Sequence, residues 1–111
     1  MGKIYSGSSQ FSRTVGWTEN GNIYSGRFLK RRIGQYEDGK VYQGTGIFAV
    51  QVGTYGQGKI YGGTYFYRVQ VGSYDSHSVY KGTGFMARKI GSYEGDPAGA
   101  AALLLLKEKF V

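Results

Sequence analysis

The side chains with the most chemical character in this sequence are cationic. Lys30-Arg31-Arg32, Arg68, Lys81 and Arg88-Lys89 are interleaved with Tyr and Phe. Lysine offers a point charge to a phosphate, arginine offers a planar fork of donors, and aromatic rings can stack on bases. These seven residues are therefore a candidate anion-binding set, for nucleic acid or an acidic lipid surface. The formal charge of +7, from 14 Lys and Arg against 7 Asp and Glu, points the same way. The competing reading is that Lys30, Arg32, Arg68 and Lys89 alternate outward as a solvated sheet face, while the tyrosines pack as core.

Other chemistry is poorly supplied. His77 is the single histidine and there is no cysteine, so a thiolate metal site, a disulfide framework and a histidine-based triad all lack parts. The acidic residues Glu19, Glu37, Asp38, Asp75, Glu94, Asp96 and Glu108 fall at turns and in the tail. A calcium or acid–base site from Glu37, Asp38, Asp75 and Glu94 would need hairpin tips to converge. Gly44-Thr45-Gly46 and Gly82-Thr83-Gly84 look like phosphate-binding turns, but neither leads into the Lys-Ser/Thr and helix of a P-loop, and both read as strand bends. The residues specify no catalytic centre, cofactor or metal site, and the expectation is a non-enzyme.

The elements that carry these residues are repeated. An x-(Ile/Val)-Tyr element recurs at Tyr5, Tyr24, Tyr42, Tyr61 and Tyr80, spaced by 19, 18, 19 and 19 residues. An (Ile/Val)-Gly-x-aromatic element follows in each copy at Val15-Gly16, Ile33-Gly34, Val52-Gly53, Val71-Gly72 and Ile90-Gly91; the first copy, with Trp17, reads as one residue short. Units of this length cannot bury an apolar face alone and must pack on their neighbours. The repeats run over about 3–21, 22–39, 40–58, 59–77 and 78–95 of a single domain.

Alternation with period two over 47–52 and 65–71 indicates strands. Asn20-Gly21 and Asp38-Gly39 supply the positive φ angles of tight hairpin turns, and equivalent turns fall at Gln57-Gly58 and Asp75-Ser76-His77. Four hairpins follow: 15–26, 33–44, 52–63 and 71–82. Gly7, Gly26, Gly44, Gly63 and Gly82 mark bulges or bends that curve the sheet. Phe11, Leu29, Phe48, Tyr67 and Met86 are expected to share an apolar face with Val15, Ile33, Val52, Val71 and Ile90. Between the two sets stand Arg13, Arg31, Val50, Val69 and Arg88; the arginines either reach the rim of that face while their stems pack, or form an anion-binding cluster.

The tail changes character at Asp96-Pro97, a helix cap followed by a residue suited to the first helical position. A short apolar helix over about 97–109 is expected, with Lys107 and Lys109 favoured at its C-terminal end. The apolar segment 100–106 is only ~10 Å long as a helix, too short for the ~30 Å of a bilayer core, so a buried position at the centre or across the sheet is expected and a transmembrane span is not. The first six residues enter the repeat without an apolar leader, and a cytoplasmic location is the default.

The hairpin elements and the Gly-Asp-Pro-Ala-Gly-Ala-Ala-Ala-Leu-Leu-Leu-Leu tail together resemble the small bacterial proteins called four-fold β-flower domains. The likeness spans nearly the whole chain. It implies petals around a pseudo-four-fold axis and brings no catalytic residue with it. The Tyr-x-Gly elements are also similar to MORN repeats, which scaffold proteins or lipids, but the MORN spacing and Trp-centred pattern are absent. The fold expected is all-β: a curved or closed pseudo-four-fold array of antiparallel β-hairpins, about ten short strands, with a short apolar C-terminal helix. The function expected is a structural or protein-interaction module that binds a protein partner or itself; the alternative is a binder of an anionic partner.

Overall fold

Three of the turns marked by the sequence are built by left-handed residue pairs, as tight hairpins require: Asn20-Gly21 (φ 51° and 82°), Asp38-Gly39 (49° and 79°) and Gln57-Gly58 (51° and 81°). The fourth is held by Asp75, whose Oδ1 accepts hydrogen bonds from the backbone N–H groups of His77 (3.1 Å) and Ser78 (2.8 Å). The computed structural model describes residues 2–7, 12–27, 29–64 and 67–110. Its strands are β1 (Gly2–Ser6), β2 (Arg13–Glu19), β3 (Asn22–Ser25), β4 (Arg31–Glu37), β5 (Lys40–Gln43), β6 (Val50–Gly56), β7 (Lys59–Gly62), β8 (Val69–Tyr74), β9 (Ser78–Lys81) and β10 (Arg88–Tyr93). One helix follows, α1 (Ala98–Leu105), with a 3-10 turn at Lys107–Lys109.

Every strand is antiparallel to its sequence neighbours, and β10 pairs with β1, so the sheet is a closed barrel. The all-β closed array of ten strands with a C-terminal helix is the expected architecture; its order is five rather than the pseudo-four-fold one expected, because β10 closes on β1 and completes a fifth strand pair. Four tight turns join five strand pairs, one from each sequence copy; the remaining seam, where Ile4 stands opposite Tyr93, is closed by hydrogen bonds alone. Glu94 N–H donates to Lys3 O (2.9 Å) where a turn would otherwise lie. The tight turns share one end of the barrel. The longer connections 26–30, 44–49, 63–68 and 82–87 belong to the other.

Closure makes the repeat positions into rings. Ile4, Ile23, Val41, Ile60 and Val79, the residues before each repeat tyrosine, are all fully buried. Each β-bulge falls in the same place, leaving Val15, Ile33, Val52, Val71 or Ile90 as the extra residue opposite the Ile/Val-Tyr step. The bulges thus belong to the second element. Gly7, Gly26, Gly44, Gly63 and Gly82 make bends instead, with φ between 87° and 117°, and each donates its N–H to the carbonyl of a bulged residue.

The helix runs through the centre. A Cβ on Gly91, Gly72, Gly53 or Gly34 would meet the Cδ of Leu103, Leu104, Leu105 or Leu106, respectively, and one on Gly16 would meet the Phe110 ring. Four consecutive leucines therefore address four consecutive units of the ring in order. Successive helical residues turn by about 100°, and five units stand about 72° apart. Only a helix lying along the barrel axis lets such residues reach one unit each. This explains why α1 is apolar on all sides, with Ala98, Ala100, Ala101 and Ala102 fully buried. Asp96 Oδ1 accepts from Ala98 N–H (2.8 Å), the capping role expected of it.

Three further sequence expectations are corrected. First, β2 and β4 are both seven residues long, and Thr18, not Trp17, holds the place of Tyr36, Tyr55, Tyr74 and Tyr93; the first copy is not short. A small residue belongs there because the chain enters the barrel beside it: a Cβ on Gly99 would stand 3.8 Å from Thr18 Cγ2. Second, the apolar face does not extend to the connections. Leu29, Phe48, Tyr67 and Met86 are exposed, as are Arg13, Arg31, Val50, Val69 and Arg88. An eight-residue helix is only about 12 Å long and covers the strands no further than the bulged residues. Third, residues 46–48 and 84–86 form 3-10 turns, so the strand expected over 47–52 begins only at Val50. Phe11 and the first part of the strand expected over 65–71 lie outside the described residues.

Candidate functional site

The strand directions sort the charges. Lys3, Lys40 and Lys59 stand at the turn ends with Glu19, Glu37, Asp38, Asp75, Glu94 and Asp96. The other eleven Lys and Arg residues stand on the connection halves of the strands, in the connections or after α1, accompanied by Glu108 alone among the acids. By backbone position the turn half carries a formal charge of −3 and the connection half +10, with Lys30 reaching back to Glu19 of the turn half. The overall +7 conceals this separation.

All seven sequence candidates fall on the connection half, in three of the five units. Arg31 and Arg32 open β4, opposite Ser25 and Tyr24. Lys30 lies back along the outer wall, with its Nζ 3.2 Å from Glu19 Oε1 and over the rings of Trp17 (5.3 Å) and Tyr24 (5.6 Å). The Arg68 guanidinium sits 4.5 Å from the Tyr61 ring centre. Lys81 and Arg88 are directly opposed across β9 and β10, with Lys89 opposite Tyr80. Like charges placed side by side repel and stay favourable only where solvent or an anion screens them. The structure brings Lys81, Arg88 and Lys89 together and keeps them one unit away from the Lys30 group, with Arg13 of β2 between.

Residues not singled out for binding complete the set. Lys109 lines a cleft of about 330 Å³ with Arg31 and Arg32, because the helix delivers its C-terminal end to the connection side. Arg27 and Arg13 line another beside Phe110. Charge counting along the sequence cannot find these neighbours, since they meet only once the helix is threaded.

The connection half is also where apolar side chains face solvent. Leu29, Ile47, Phe48, Val50, Tyr67, Val69, Phe85 and Met86 are between 64% and 107% exposed, and among the described residues no other large hydrophobic is comparably open. Two pairs of them stand on hydrogen-bonded 3-10 turns: Phe48 N–H donates to Thr45 O (3.2 Å) and Met86 N–H to Thr83 O (3.1 Å). Gly46 and Gly84, with φ of 61° and 57°, start these turns, so the Gly-Thr-Gly motifs build apolar tips and carry no helix behind them.

The opposite end is a ring of phenols around the helix entrance. Tyr55 and Tyr74 are in edge contact at 6.5 Å, Tyr74 and Tyr93 at 6.1 Å. Tyr55 OH donates to Asp96 Oδ1 (2.8 Å), and Tyr93 OH donates to the Asp75 carbonyl. Burial, then the bond to Asp96, raises the Tyr55 pKa far above its ordinary value; burial also raises that of Tyr93. Both phenols stay protonated in the folded chain where unfolded tyrosine, of pKa about 10, ionises. Their contribution is fully present below pH about 10 and is lost as pH rises beyond it. Urea midpoints should therefore be level up to pH about 9.5 and fall above it. The slope should be under about 1.4 kcal/mol per pH unit for each phenol, since solvent screens part of the effect at half-buried Tyr55. Tyr55→Phe should flatten the decline, and an unchanged slope in that variant would contradict this assignment.

His77 stands alone in its turn, and among the described residues no cluster of His, Asp and Glu could hold a metal ion. Among the described residues no helix is long and apolar enough to cross a membrane. Comparison with family models, curated protein sequences and solved structures finds no match.

Proposed function

We propose that the protein is a non-enzymatic interaction module that engages its partner through the connection half of the ring. One observation carries the reading: the large exposed apolar side chains of the described residues are confined to that half, Ile47, Phe48, Phe85 and Met86 among them on hydrogen-bonded 3-10 turns, beside eleven of the fourteen cationic residues. Isolated exposed hydrophobics need no explanation, but a recurrent set rimmed by charge marks a contact surface. Val50 and Val69, Phe48 and Met86 occupy equivalent places in different units, so the exposure is a property of the design of the repeat.

The test compares the intact protein with a four-site variant, Ile47→Ser, Phe48→Ser, Phe85→Ser and Met86→Ser. None of the four packs in the core, so circular dichroism and thermal unfolding should be unchanged. Tagged copies of both are recovered from extracts of the native host, and the retained protein, lipid and nucleic acid are compared. Material held by the intact protein and lost from the variant is the expected result. Equal recoveries from both would overturn the assignment of this surface.

A further inference from the structure

We infer that the partner of the connection half is an anionic lipid bilayer, on which the ring lies flat with its apolar tips in the interface. The inference rests on the reading of that half as the contact surface and adds what it contacts. Three features select the partner.

The first is symmetry. Closure gathers the connection ends of the strands at one end of the ring, with the described tips Gly46–Phe48 and Gly84–Met86 in equivalent places, and the molecule measures 39 × 37 × 21 Å. A laterally uniform surface can meet every member of such a ring at once, whereas a partner without matching symmetry meets one or two. The second is side-chain chemistry. Ile47-Phe48 and Phe85-Met86 are adjacent apolar pairs on 3-10 turns in which no residue is buried. Aliphatic and thioether groups gain from transfer into the acyl boundary of a membrane and gain little from phosphates or base edges, which favours lipid over nucleic acid. The third is charge. The tips are set among Arg31, Arg68, Lys81, Arg88 and Lys89 on a half with a formal charge of +10. Anionic headgroups complement that charge, and the same half of a second copy of this chain opposes it.

The experiment is sedimentation of the full chain with vesicles of pure phosphatidylcholine, and with vesicles containing about one-third phosphatidylserine, a content that gives a strongly negative surface. Binding is expected only to the second, and should weaken as salt is raised from low to physiological strength and beyond. The four-site serine variant should lose at least about tenfold in affinity while keeping its circular dichroism spectrum, because the insertion component is gone. Arg88→Gln with Lys89→Gln should lose roughly fivefold per charge removed. Absent binding to phosphatidylserine vesicles at low salt would overturn the inference. So would equal binding by the serine variant, or preferential binding of a single-stranded oligonucleotide by both proteins. If vesicles fail but host extracts still distinguish the serine variant, the contact-surface reading stands and the bilayer falls; if neither distinguishes it, both fall.

Discussion

Gly53→Ala is expected to destroy the cooperative fold, although it adds a single methyl group. A Cβ at Gly53 would lie 2.3 Å from the Tyr61 carbonyl oxygen and 2.6 Å from Leu105 Cδ1. The leucine could rotate, but the carbonyl belongs to the adjacent strand and cannot move without opening the ladder. Overpacking a well-filled core costs about 1–3 kcal/mol where side chains can adjust, and more where backbone must move. Against the roughly 5–15 kcal/mol available to a domain, a loss above about 3 kcal/mol is severe. Gly16, Gly34, Gly72 and Gly91 face carbonyl oxygens at 2.2, 2.4, 2.3 and 2.2 Å, so each should behave alike. Gly56→Ala is the control: nothing lies within 4 Å of its Cβ position, and its φ is not positive. That substitution should be neutral, or stabilising by a few tenths of a kcal/mol through the unfolded state. Urea unfolding of the pair decides the matter, and a Gly53→Ala protein with the midpoint of the Gly56→Ala protein would refute the glycine ring.

Removal of residues 97–111 should be as damaging. The helix supplies the opposite wall for Ile4, Ile23, Val41, Ile60 and Val79, all fully buried, and for the five ring glycines. Buried aliphatic side chains contribute about 1.5–3 kcal/mol each, so exposing the ring costs on the order of 10 kcal/mol, comparable with total stability. The truncated chain should aggregate or give a broad, non-cooperative thermal transition by circular dichroism. A soluble, cooperatively unfolding product would sink the account of the helix as the core. Leu106→Ala is the milder companion: its side chain is 2% exposed, and its loss should cost about 2–5 kcal/mol with the fold retained.

The parts of this design set by local chemistry can be read from the sequence. Asn20-Gly21 and Asp38-Gly39 announce their turns because few residues tolerate positive φ, and Asp96 announces the helix it caps. Period-two alternation locates strands, but at Phe48 and Met86 it suggests burial that never occurs, since what decides burial there is the length of α1, an element remote in sequence. Thr18 misleads for a related reason: its size answers to the incoming chain at Gly99, a neighbour that only the closed ring supplies. Of the candidate site, the charges are visible as residues while their segregation is not. Whether a lysine falls at a turn or at a connection depends on strand direction, and Lys109 joins Arg31 and Arg32 only through the threaded helix.

The seam between β1 and β10 bears on how the molecule comes into being. Tyr5 OH reaches Glu94 Oε2 across 89 residues of chain, whereas other neighbouring strands are joined by short links. The meander from β1 to β10 can zip locally, but its two outer strands wait for each other and for the helix, and long loop closure is entropically the slowest kind. In that interval each edge is shaped to fit the other. A second nascent chain offers the same edge, so crowding during synthesis favours exchanged strands, while the apolar segment that follows β10 supplies the core of a ring closed on its own chain.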